Sequence, residues 1–86
     1  DSSTSRGLGD VYKRQALAIW KELRDTLNDS KMPMAVRVAA ADGLGELGSS
    51  HSQETLLATL RDETAELEVR VAAVRALSRT VRSATR

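Results

Sequence analysis

The stretch VRVAAADGL, Val36 to Leu44, returns nearly unchanged as VRVAAVRAL, Val69 to Leu77. The two copies start 33 residues apart, and the same offset sets Leu23 against Leu56, Leu27 against Leu60 and Asp29 against Asp62. Repetition at a period of this size marks a solenoid, in which each unit buries its apolar face on its neighbours. Alanine and leucine favour helix, so each unit reads as helix A, short loop, helix B, and the quoted stretches open the two helices B.

Working outward, helix A of the first unit is expected from about Ala16 to Asn28, with Ile19, Trp20, Leu23 and Leu27 along one face. The loop DSKMP follows, and Pro33 suits the first turn of a helix, where its missing N–H costs nothing. Helix B then runs from about Met34 to Leu47, with Gly48 placed for a left-handed C-terminal residue. Ser50 and Gln53 have the spacing of a capping box for the second helix A, which carries Leu56, Leu57 and Leu60. After RDETAE, the second helix B starts near Leu67 and continues to about Val81. At about 100° per residue, Val36, Ala40, Gly43 and Leu47 share one face, expected to be the core face against helix A, with Arg37 at its edge. Val38, Ala41 and Gly45 form the opposite stripe, repeated as Val71, Val74 and Ser78.

Composition narrows the chemistry. Eighty-six residues allow one small domain, and a chain this short buries only a modest share of its surface. Aromatics are 2% with no Phe, so the core must come from Leu, Val and Ala at close helix contact. Thirteen basic against 12 acidic side chains give a formal charge of +1, with no general pull toward nucleic acid or anionic membrane. The lack of Cys removes disulfides, thiolate catalysis and Cys-ligated zinc. No apolar run approaches the roughly 18 residues of a membrane span, so a soluble protein, cytoplasmic by default, is expected. The opening DSSTSRGLGDVYKRQ is polar, starts with Asp and has no helical periodicity. Residues 1–14 are therefore expected to be a disordered leader or an artefact, resembling the translated adaptor remnants of metagenomic reading frames, and the chain to be a fragment. Residues 15–48 and 49–86 then form the two repeats.

VRVAAADGLGELG and VRVAAVRAL resemble helix B of HEAT-like repeats of the phycobilisome-lyase type, and Leu56, Leu57, Leu60 and Asp62 match the ending of helix A. The resemblance spans roughly residues 16 to 81. It implies an all-α fold: an α-solenoid of about two helix-hairpin repeats, a fragment of an armadillo-type superhelix. There are two departures from the family pattern. The inter-helix loop is longer than usual, and Pro33 stands one residue further from Val36, with Glu66 replacing it in the second unit.

Asp29 precedes Arg37 by the same spacing as Asp62 precedes Arg70, which predicts a structural ladder tying each loop to a helix B. Arg75, Arg79, Arg82 and Arg86 form a narrow stripe on the last helix. It reads either as a phosphate- or acid-binding surface or as charges answering the preceding unit. Asp42 and Glu46 stand one repeat before Arg75 and Arg79, and Lys21 stands one repeat before Glu54. The valine stripes read either as a concave groove for a partner segment or as packing between helices B. The groove reading assigns Val38, Ala41, Val71, Val74, Arg75 and Arg79 to partner binding.

No catalytic or metal residues are assigned, and no cofactor is expected. His51 is the lone histidine and is followed by Ser52, unlike the His-Glu pairs of HEAT-like iron hydroxylases. Ser49, Ser50 and Ser52 read as caps without a base. Trp20 reads as packing, and GLGELG lies within and at the end of a helix rather than after a strand. The expected function is a non-catalytic protein-interaction or scaffold segment of a longer HEAT-repeat protein. Its partner would be a protein or neighbouring repeats of the same chain, with no small-molecule substrate and no membrane. The resemblance also implies a rival, part of a phycobilin-lyase-like subunit or a repeat module fused to a redox enzyme. Nucleic-acid binding rests only on the arginine stripe.

Overall fold

The computed structural model describes the backbone of residues 2–84 and the side chains of residues 13–81. Four helices follow in series: α1 (Ser2–Asn28), α2 (Met34–Leu47), α3 (Ser50–Arg61) and α4 (Leu67–Ala84), with no strand among the described residues. The helical solenoid segment expected from the repeat is the fold observed, and α2 has the expected ends.

The N-terminus differs. Residues 2–14, expected to be disordered, continue α1 as helical backbone. Packing of Trp20, Leu23 and Leu27 against the core fixes the C-terminal half of α1. From such a nucleus each added residue gains a hydrogen bond. The chain offers no proline before Pro33 to stop it, and Gly7 and Gly9 weaken the extension by only about 1 kcal/mol each.

Caps explain the other boundaries. Pro33 sits at the N-cap of α2 with φ −56° and ψ 145°, one position before the first turn. Gly48 ends α2 in the left-handed conformation (φ 64°), and its N–H donates to Leu44 O at 3.1 Å. That reversal leaves Ser49 extended, so Ser49, rather than Ser50, caps α3 by accepting from Ser52 N at 3.1 Å. Gln53 is thereby released from the expected capping box, and its amide donates to Thr80 Oγ1 of α4 at 3.2 Å.

The buried core comprises Leu27, Ala40, Ala41, Leu44, Leu56, Val69, Ala72, Ala73 and Ala76. Five of these nine are alanine, which lets helix axes approach closely. The limit is reached where α2 meets α4: a Cβ added at Gly45 would lie 2.9 Å from Ala76 Cβ and 3.0 Å from Ala76 Cα. α2 packs chiefly on α4, α1 on α2 and α3 on α4, whereas α1 and α3 touch little. Helices B thus form the tight layer of the hairpin stack.

The core face of α2 is rotated from expectation. Its buried arc is centred on Arg37, Ala40, Ala41, Leu44 and Gly45. Val36 is 42% exposed, and Gly43 and Leu47 are half-buried. The reason is that α2 is packed from two sides, by α1 and by α4, so its most buried line falls between them.

Candidate functional site

The stripe Val38, Ala41 and Gly45 is not a free concave surface. Ala41 is fully buried, Gly45 is buried against Ala76 of α4, and Val38 is half-buried against the core. Packing between helices B accounts for this stripe, so Val38 and Ala41 are corrected from partner-binding to repeat-interface residues. One repeat later the same positions are open. Val71 is 46% and Val74 45% exposed, and Ser78 is exposed. Leu57 of α3 and Val81 of α4 are exposed beside them. Together with Gln53, Leu77 and Thr80, Leu57 and Val81 line a shallow groove between α3 and α4. The uncovered strip is therefore an apolar end face of the stack, flanked by Arg75 and Arg79, both exposed.

Of the charge pairs expected across the repeat boundary, one forms. Arg79 Nη1 lies 3.2 Å from Glu46 Oε1, bridging α4 and α2. Neither Asp42 with Arg75 nor Lys21 with Glu54 forms an ion pair among the described residues. Both members of the Glu46–Arg79 pair are solvated, which limits it to about 0–1 kcal/mol. The side chains of Arg82 and Arg86 lie outside the described residues.

The predicted Asp–Arg ladder does not form among the described residues; the two arginines make an equivalent pair of main-chain contacts instead. Arg37 Nε donates to Leu27 O at 3.0 Å, and Arg70 Nε donates to Leu60 O at 3.1 Å. Both arginines thus satisfy carbonyls left free at the end of a helix A, where positive charge is favoured. The aspartates are used locally instead. Asp29 Oδ1 accepts from Lys31 N at 2.9 Å, and Asp62 Oδ1 accepts from Thr64 N at 2.9 Å and from Thr64 Oγ1 at 2.6 Å. A short side chain at a helix exit reaches the backbone two residues on more readily than a guanidinium eight residues away. The Thr64 hydroxyl, followed by the Thr64 N–H, holds the Asp62 carboxyl below its ordinary pKa, with the Arg70 charge a smaller contributor.

The sequence reading missed three tertiary contacts, two of them across the boundary. Arg37 Nη1 reaches Glu66 Oε1 of the α3–α4 loop at 3.2 Å, which buries the Arg37 side chain to 8% exposure. Trp20 Nε1 donates to Thr55 Oγ1 at 3.0 Å, and Gln53 bridges to Thr80 as described. Trp20 and Gln53 occupy one repeat position and both carry an N–H donor, a signal present in the alignment of the two units. The Trp20 ring also packs 4.9 Å from that of the exposed His51, with the Arg24 guanidinium 4.7 Å from its centroid. Buried Ser52, Thr59 and Thr80 are all hydrogen-bonded, and no buried side-chain polar atom among the described residues lacks a partner.

Residues 36–62, which hold α2 from Val36, the Gly48 turn and all of α3, match the family model of the PBS lyase HEAT-like repeat. Over this span the chain carries a HEAT-like repeat. The matched span straddles the junction between the two hairpins and contains both Arg37, which bonds Leu27 O, and Asp62, which bonds Thr64. No curated protein and no solved structure matches the chain. No described helix is long and apolar enough to cross a membrane.

Proposed function

We propose that this chain is a non-catalytic protein-interaction or scaffold segment of a longer HEAT-repeat protein, whose ligands are polypeptide surfaces. The observation that carries the reading is the uncovered strip Val71, Val74 and Val81 on α4, with Leu57 beside it. A purely solvated helix face would be polar, whereas this one continues the stripe that α2 buries. Removing such apolar surface from water is worth roughly 25 cal/mol per Å². Arg75 and Arg79 at its edge suit a partner that is apolar in the middle and acidic at the rim.

The test places a photo-cross-linking benzophenone residue at Val74 and, as a control, at Glu68, which is exposed on α4 but off the strip. Adducts to a polypeptide are expected from position 74 and not from 68. The captured polypeptide, once purified, should bind the chain saturably, with affinity reduced at least ~10-fold, about 1.4 kcal/mol, by Val74→Asp. No adduct at position 74 contradicts the reading. Adding a linear tetrapyrrole separates the rival: a saturable red shift of its absorption would favour part of a phycobilin-lyase-like subunit. The other rival, a module fused to a redox enzyme, is tested by sequencing the parent reading frame.

A further inference from the structure

We infer that the junction between the two hairpins is a one-sided hinge: α2 and α4 hold its axis, and Trp20 of α1 is the strap that keeps α1 and α3 together. The hinge lies between the two units of the chain and involves neither outer face of the stack, so it is independent of the protein-interaction reading.

The two seams of this junction are built differently. Where α2 meets α4, Gly45 and Ala76 let the backbones come as close as a missing Cβ allows, and Ala41, Ala72 and Ala76 are buried. Parting these helices would return that apolar surface to water, which is unfavourable. α1 and α3 touch far less. A cleft of about 330 Å³ runs between them, walled by Arg24 and Asn28 on one side and by Glu54, Thr55 and Asp62 on the other. The polar groups along it bond within their own segments. Arg24 pairs with Asp25 at 3.0 Å, Thr59 Oγ1 donates to Thr55 O at 3.0 Å, and Asp62 accepts from Thr64. No ion pair crosses the cleft among the described residues, so widening it breaks none.

One side chain spans the gap by hydrogen bonding. Trp20 Nε1 donates to Thr55 Oγ1 at 3.0 Å, and the Thr55 hydroxyl in turn donates to His51 O at 2.9 Å. The indole ring packs on the His51 ring, and the Arg24 guanidinium backs it from its own helix. Trp20 is thereby tied to the first two turns of α3. The ion pairs that cross the junction, Arg37 with Glu66 and Glu46 with Arg79, both include a residue of α2 and lie on the hinge side. With α2 and α4 as the closer pair, releasing the strap lets α1 and α3 spread. The stack then bends more tightly around the face that α2 and α4 form, and Trp20 sets the curvature at this junction.

The test is distance measurement by double electron–electron resonance. The chain has no Cys, so spin labels can be attached at introduced cysteines on exposed, repeat-matched positions. Lys21→Cys with Glu54→Cys reads the α1–α3 seam, and Ala35→Cys with Glu68→Cys reads the α2–α4 seam. The first pair should give the broader distance distribution. Thr55→Val, which removes the acceptor and keeps the shape, should raise the long-distance population of the first pair about 5-fold, the shift from losing one hydrogen bond of ~1 kcal/mol. The second pair should not move. Equal widths for the two pairs overturn the hinge, and this comparison depends on no strap variant folding. A Thr55→Val effect that is absent, or the same at both seams, overturns the strap. A second readout needs no label, because Trp20 is the single tryptophan. Acrylamide quenching of its fluorescence should increase in Thr55→Val, with helical circular dichroism at the wild-type value. Unchanged quenching also overturns the strap.

Discussion

Helices α2 and α4 open with nearly the same sequence and live in different surroundings. α2 is packed by α1 on one side and α4 on the other, while α4 is packed by α2 and α3 and left open beyond. Residue size follows the surroundings. Where α4 approaches, α2 carries Ala41 and Gly45; at the same positions α4 carries Val74 and Ser78, both exposed. Val36 and Val69 show the mirror case, with Val69 fully buried and Val36 exposed. A repeat position thus has no fixed burial, because burial depends on whether the unit has a neighbour on that side.

The sharpest way to break this comparison is to place one charge at both positions of a pair. Ala41→Asp buries an unpaired carboxylate, a cost of several kcal/mol, and should abolish the cooperative melt. Val74→Asp changes only helix propensity, by less than about 1 kcal/mol, and should lower Tm by no more than roughly 4–8 °C. Equal damage from both would show that Val74 is core.

The glycines give a smaller effect of opposite signs. Gly45→Ala drives a methyl against Ala76, and overpacking of this kind costs about 1–3 kcal/mol, so Tm should fall despite the gain in helix propensity. Gly43→Ala meets only the mobile end of Leu23 at 3.3 Å. There the propensity gain of about 1 kcal/mol should leave Tm unchanged or raise it. Thermal melts followed by circular dichroism read both.

The arginines come next. Arg37→Met loses bonds to Leu27 O and Glu66 and should cost about 2 kcal/mol, whereas Arg70→Met loses one bond to Leu60 O and should cost about 1 kcal/mol. Urea titrations would measure the ratio, and equal losses would remove Glu66 from the account. The smallest effect is on acid titration. Asp62 is held below its ordinary pKa, so its contribution to stability is present above the unfolded-state value and is lost as pH falls through the folded value. Thr64→Val removes the leading cause. The Asp62 carboxyl, followed by NMR, should then titrate at a higher pH, and no change would assign the depression elsewhere.

The period and most helix ends were legible because glycine and proline act locally: Gly48 permits a left-handed turn whatever the tertiary fold, and Pro33 opens a helix. The orientation of α2 was less legible. Periodicity groups residues into faces, but it does not say which neighbour each face meets, so on periodicity alone Val36 falls in the core and Ala41 outside it, the reverse of what the fold shows. Spacing likewise brought Arg37 and Arg70 to the ends of helices A without choosing between an aspartate and a main-chain carbonyl as acceptor. The cap moved from Ser50 to Ser49 because the Gly48 turn fixes the extended residue after it. The helical course of residues 2–14 followed from propagation out of a packed segment, which a search for periodicity does not detect.

The central claim is that the α4 face is an open copy of the interface that α2 has closed. Duplicating residues 48–80 within the chain, so that Thr80 is followed by a second Gly48–Thr80 segment, would lay one more repeat on α4 in register. The account predicts a single cooperative melt with Tm raised by at least about 4–8 °C, the equivalent of ~1 kcal/mol, and new protection of the Val74 side chain from solvent. A melt unchanged in Tm, with Val74 as accessible as before and the added segment unfolding independently, would contradict it.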